Sequence, residues 1–168
     1  MAGWTEEKII KALARVYAIE RGLDVIPNVL MLLYYYKDKA RAERDKKAYK
    51  GAEYEADLLV ISKSRFLHEI EVKVSIQDFR ADFKKKHYHD FPEVKRFSYC
   101  LPSELIAKHR TEIEEHCKDK GAGLIAITEE EGLPITCLQA KARPGVEPLT
   151  IEGYIHYLRL AAKKWTKK

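Results

Sequence analysis

Three cysteines in 168 residues, with no Cys-x-x-Cys among them, leave no material for a disulfide framework or a cysteine-built zinc site. Cys100, Cys117 and Cys137 are expected as buried, reduced, small hydrophobic side chains. Eight glycines and six prolines are too few for a collagen-like or low-complexity chain, and 46% apolar with 34% charged residues excludes wholesale disorder. The longest apolar run, Val29 to Tyr36, is about half the length a membrane span needs. The first residues lack the charged-then-apolar order of a secretory signal, so a cytoplasmic chain that does not enter a membrane is expected. No glycine-rich phosphate loop is present, which argues against a nucleotide cofactor.

What is present suits one domain spanning 1–168, since a domain averages about 150 residues. The net charge is +5, and the excess is gathered in three places. Residues 37–50 carry seven bases, among them Lys46 and Lys47, against three acids. A second group is Arg80, Lys84, Lys85 and Lys86, and the third is Arg159, Lys163, Lys164, Lys167 and Lys168. Clustered bases attract a polyanion through release of its counterions, so DNA is the expected partner. The stretch 37–53 is too polar to pack and is expected as a mobile basic loop. Tyr34, Tyr35 and Tyr36 precede it and offer flat faces on which unpaired bases can stack. His87 and His89, inside the lysine-rich stretch, are expected at the surface or facing nucleic acid rather than as a metal site.

Periodicity divides the chain into helices and strands. Thr5 caps a helix whose Ile9, Ile10, Leu13, Val16 and Tyr17 share a face, with a stop at Gly22. Strands are expected over Val25–Tyr36, Leu58–Ile61 and Phe66–Val74, the last two joined as a hairpin by Ser62–Arg65. Ser75 opens a second helix with Phe79 and Phe83 on its apolar face. A strand over Arg96–Leu101, a helix over 103–120 ending at Gly121, strands over Gly123–Thr128 and Leu133–Ala140, and a helix over 150–168 complete the order. This is an α/β chain with a central mixed β-sheet flanked by helices.

The chemistry concentrates on the third strand. Strand period two puts Leu67, Glu69, Glu71 and Lys73 on one face and His68, Ile70, Val72 and Val74 on the other. Three charges in a row at the centre of a domain cost free energy unless something compensates them. In the predicted hairpin Leu59 lies opposite Glu69, which brings Asp57 opposite Glu71. Two carboxylates that close repel, and a hard dication with oxygen ligands relieves the repulsion. Lys73 reaches the same place and can stabilise charge on a phosphate. Acid-x-Lys occurs at five places in the chain; the copy at Glu71-Val72-Lys73 stands out because it lies in an apolar strand.

Asp57 with Glu71-Val72-Lys73 resembles the signature of the PD-(D/E)xK nuclease superfamily. The run Glu55-Ala-Asp-Leu-Leu-Val followed by Glu71-Val-Lys-Val-Ser-Ile-Gln-Asp-Phe-Arg-Ala-Asp-Phe-Lys is similar to MmcB-like DNA-repair nucleases and related phage-type proteins. Arg96-Phe-Ser-Tyr-Cys-Leu-Pro and Gly121-Ala-Gly-Leu-Ile-Ala-Ile fit the same resemblance. It implies a restriction-endonuclease-like core and a metal-dependent DNA endonuclease acting in DNA repair, recombination or phage DNA processing. It implies Asp57, Glu71 and the Val72 backbone carbonyl as ligands of Mg²⁺ or Mn²⁺, with Lys73 as the catalytic lysine. An acid of the first helix is expected to join them, Glu7 in preference to Glu6. Arg80, Lys84, Lys85, Lys46 and Lys47 are the candidate DNA contacts, and a homodimer is compatible with the family. The competing reading is a nucleic-acid-binding module that keeps the nuclease fold without cutting.

Overall fold

A computed structural model describes residues 3–31, 54–84, 89, 91–128 and 132–166. Lys46, Lys47, Lys85, His87, the three successive tyrosines and the expected basic loop 37–53 lie outside the described residues. The described elements are α1 (Glu6–Arg15, continued by a π-helical turn Val16–Glu20), β1 (Asp24–Met31), β2 (Tyr54–Ile61), β3 (Leu67–Val72), α2 (Ile76–Asp82) and β4 (Val94–Pro102). They continue with α3 (Ser103–Lys108), α4 (Arg110–Lys120), β5 (Gly123–Ile127), β6 (Pro134–Leu138) and α5 (Ile151–Thr166).

The six strands form one sheet in the order β1-β2-β3-β4-β5-β6. The β1–β2, β2–β3 and β5–β6 pairs are antiparallel, while β3–β4 and β4–β5 are parallel. Each parallel step needs a crossover, and α2 and the α3–α4 pair supply them. The chain is therefore α/β, with a mixed sheet and helices on both faces, as the alternation of elements predicts.

One sheet face carries Leu58, Val60, Ile70, Val72, Cys100, Ile125 and Ile127, and α1 packs on it through Ile9, Ile10, Leu13 and Ala14. The opposite face divides in two. Leu59, Ile61, Leu67 and Val94 pack with Leu149 and Tyr157 of the α5 side. Phe97, Tyr99, Leu101 and Leu124 pack with Phe79 of α2 and Ile113 and Cys117 of α4. Each of these large side chains contributes about 1.5–3 kcal/mol by leaving water.

Local signals set the element ends. The Thr5 hydroxyl accepts the Lys8 N–H at the start of α1, and Ser75 does the same for Asp78 at the start of α2. Gly121, at φ 66°, ends α4 in the left-handed conformation that glycine adopts without strain. The single helix expected over 103–120 is interrupted at His109, whose φ of −128° and ψ of 31° are not helical. Cys137 also differs from expectation: it lies exposed on the edge strand β6, while Cys100 and Cys117 are buried. Among the described residues no helix is long and apolar enough to cross a membrane.

Candidate active site

The β2–β3 register pairs Leu58 with Ile70 and Leu59 with Glu69, and one further step sets Asp57 opposite Glu71. The regular alternation of β2 breaks at this point. Ala56 and Leu59 pack into the same layer although three positions separate them, as do Ile26 and Val29 of β1. Between these pairs stand Asp57 and Asn28, which the β1–β2 pairing passes over, and Asn28 has a left-handed φ of 50° that asparagine tolerates. The irregularity lets the Asp57 side chain reach along the sheet, where its Oδ2 accepts the Val72 N–H at 2.7 Å.

Asp57, Glu71 and Lys73 come together as the sequence leads one to expect. Lys73 Nζ is 2.6 Å from Glu71 Oε1 and 3.4 Å from Asp82 Oδ1, with Glu71 buried at 3% exposure. The Lys73 backbone N–H donates to Cys100 O of β4, which fixes the strand end from which the ammonium projects. Burial, then the neighbouring charge of Glu71, pushes the Asp57 carboxyl up to about 7, despite the Val72 N–H that favours its ionised form. A cleft of about 310 Å³ opens beside this group, with Glu6, Val72, Lys73, Asp78 and Asp82 in its lining. Lys73 thus lies between the open cleft and the buried carboxylate of Glu71.

The first-helix acid is corrected. Glu7 points to solvent, 77% exposed in its side chain, and pairs with Lys11 at 2.7 Å. Glu6 lines the cleft instead and lies within electrostatic reach of Asp57. Glu6 is itself exposed, on the first turn of α1 at the rim of the cleft. Arg80 sits on the exposed side of α2, where its guanidinium makes two bonds to Glu112 of α4 at 2.6 and 2.7 Å. Lys84 is exposed just beyond α2.

His89 is also corrected: it is 1% exposed, not at the surface. Its Nδ1 bonds Glu69 Oε1 at 2.5 Å and its Nε2 bonds Asp82 Oδ2 at 2.7 Å. Burial opposes the imidazolium, but the bonds to Asp82 and Glu69 and the charges of Glu69 and Glu71 outweigh it, raising the His89 pKa to about 9. Tyr99 OH donates to Asp82 Oδ2 at 2.7 Å and Tyr54 OH to Glu69 Oε2 at 2.6 Å. Arg143 reaches in from the segment before α5 and donates to the His89 and Phe91 carbonyls. A polar chain therefore runs from Tyr54 through Glu69, His89 and Asp82 to Lys73 and Glu71. The ligand atoms of Glu69, Glu71 and His89 all lie within 4.8 Å of one another, so this buried group could hold a metal ion.

One member of this polar chain, Asp82, is legible in the spacing of α2. Ile76, Phe79 and Asp82 are all buried on α2. Their spacing of three marks Asp82 as an acid on a core-facing stripe. His89 carries no comparable signal amid its lysines.

No protein-family model matches the chain, and no curated protein matches it. Among solved structures it is similar to SPO1766, a protein of unknown function from Silicibacter pomeroyi, at 13% identity and a TM-score of 0.59. The match covers 99% of this chain and 90% of that one. At this identity the likeness shows a shared fold alone.

Proposed function

We propose that the chain is a metal-dependent DNA endonuclease of PD-(D/E)xK type, with a restriction-endonuclease-like core, serving DNA repair, recombination or phage DNA processing. One observation carries the reading: Asp57 of one strand and Glu71 of the next converge at the end of a hairpin, with Lys73 beside them on the margin of a cleft. The donor set fits Mg²⁺ or Mn²⁺, because Asp57, Glu71 and the Val72 carbonyl offer hard oxygens only. Burial first, and the charge of Glu71 second, push the Asp57 carboxyl to about 7, and a dication held by the two acids would relieve both. Once bound, the ion supplies Lewis acidity toward a phosphate and a water of lowered pKa.

The side chains do the rest. Asp57 and Glu71 would hold the ion, and Lys73 separates Glu71 from the cleft. The Val72 N–H holds Asp57 in the rotamer that faces Glu71. Lys73 places an ammonium where negative charge builds on the scissile phosphate, and the low-dielectric strand end behind it strengthens that interaction. Glu6, on the cleft lining, replaces Glu7 as the first-helix acid near the ion. Lys84, exposed beyond α2, contacts the DNA backbone.

The test is a panel of linear and branched DNAs incubated with Mg²⁺, Mn²⁺ or chelator, wild type beside Lys73→Ala. Metal-dependent cleavage by the wild type alone is the expected result. Salt-sensitive binding without cutting under either metal would instead leave a binding module that keeps the fold.

A further inference from the structure

Lys73 faces two carboxylates that differ in their surroundings. Glu71 Oε1 is the nearer, at 2.6 Å, and Asp82 Oδ1 is at 3.4 Å. Under the endonuclease reading, Glu71 would offer its oxygens to a dication. A carboxylate so engaged loses attraction for an ammonium, and the dication repels the ammonium directly. Lys73 then needs a second anchor or moves out into water.

Asp82 is built to be that anchor. It is 1% exposed, and its Oδ2 is held from two sides, by Tyr99 OH and His89 Nε2, both at 2.7 Å. His89 is itself fixed, its ring stacked on Phe97 with centroids 4.1 Å apart and its other nitrogen on Glu69. Tyr99 is fully buried beneath α2. With one oxygen of Asp82 clamped, the other lies toward Lys73 at the cleft margin.

We propose that Asp82, with Tyr99 and His89 behind it, is a positioning residue that receives Lys73 from Glu71 when a divalent ion binds. The proposal rests on the endonuclease reading above. The hand-over keeps the ammonium at the cleft, preorganised toward a phosphate, instead of releasing it at the moment it is needed. Neither Asp82 nor His89 touches the reacting atoms; both act through Lys73.

The experiment reads Lys73 directly. The full chain is acetylated with an amine-reactive reagent, with and without Mn²⁺, and the Lys73 peptide is followed by mass spectrometry. Lys118, 59% exposed in its side chain, is the internal reference. In wild type, Mn²⁺ leaves Lys73 poorly reactive. In Asp82→Asn with Mn²⁺, Lys73 labelling relative to Lys118 rises roughly tenfold, the order expected when a charged partner is removed. Without metal the rise is smaller, since Glu71 still holds the ammonium. The kcat for DNA cleavage falls about 10- to 100-fold with KM unchanged. Tyr99→Phe, which removes one of the two clamps on Asp82, shows the same changes at smaller size and serves where Asp82→Asn fails to fold. If wild type takes up no Mn²⁺ in calorimetry, the endonuclease reading falls and the hand-over with it. If Mn²⁺ binds and Lys73 stays as unreactive in the variants as in wild type, the role of Asp82 alone is overturned.

Discussion

Asp57 on β2 accepts the backbone N–H of Val72 on β3 at 2.7 Å, so the acid in the middle of β2 is bonded to the residue between Glu71 and Lys73. This single bond ties the two halves of the site into one unit. It also holds Asp57 against Glu71 at a cost in repulsion.

From that relation follows a trade of stability against activity at Asp57. Asp57→Asn keeps the shape and removes one of two facing negative charges. Cleavage should fall by at least about 100-fold, because the ion loses a ligand. In metal-free buffer at pH 8 the same variant should melt above wild type, because the folded state no longer confines two carboxylates. Scanning calorimetry and cleavage rates measured on one preparation check both halves. A drop in both would mean that Asp57 is structural.

Close packing next to the sheet centre makes Gly123 intolerant of a side chain. A Cβ at Gly123 would collide with Ser98 Oγ and stand 3.0 Å from the Ala140 backbone nitrogen. Ser98 Oγ is committed to His68 Nε2 at 2.8 Å, so the hydroxyl cannot yield without breaking that bond. Gly123→Ala should destabilise by about 1–3 kcal/mol, read as a shifted denaturant midpoint at unchanged slope.

His68 sets an acid dependence of stability. Burial first, and Arg96 second, lower its pKa to about 4. The unfolded chain takes up the proton near pH 6.5 and the folded chain only near 4. Over that window the unfolded state binds more protons, so stability falls as the pH falls from about 6.5 to about 4 and this contribution levels off below. Replacing His68 with Gln should flatten the melting temperature across the same window. An unchanged slope would remove His68 as the cause.

The two described bases flanking the end of α2 should differ in DNA binding. Lys84 is exposed, whereas Arg80 is bonded through two nitrogens to Glu112. Lys84→Ala should weaken binding across sequences and reduce the salt slope by about 1, the signature of one lost phosphate contact. Arg80→Ala should leave the slope near wild type. It should also leave stability close to wild type, because the ion pair with Glu112 is solvent-exposed. Equal slopes for the two variants would put Arg80 on the DNA as well.

The hairpin was readable because its apolar run, its four-residue turn and the strand alternation all demand one register; the observed Leu59–Glu69 pairing is the one that register requires. The meeting of Asp57, Glu71 and Lys73 followed from it. What sequence could not supply was the contact of residues far apart in the chain. His89 reads as one more polar residue in a basic stretch, and only the fold reveals that Glu69, Asp82 and Phe97 enclose it. The choice between Glu6 and Glu7 turned on where the cleft opens, since both are exposed and both precede buried residues of α1 by three and seven positions.

The central claim is that Asp57 and Glu71 together hold a divalent ion beside Lys73. Calorimetric titration of Mn²⁺ into the metal-free full chain, with Asp57→Asn and His89→Gln in parallel, tests it most directly. One site is expected in wild type, lost in Asp57→Asn and retained in His89→Gln. Binding in Asp57→Asn equal to wild type, or none in wild type, would contradict it.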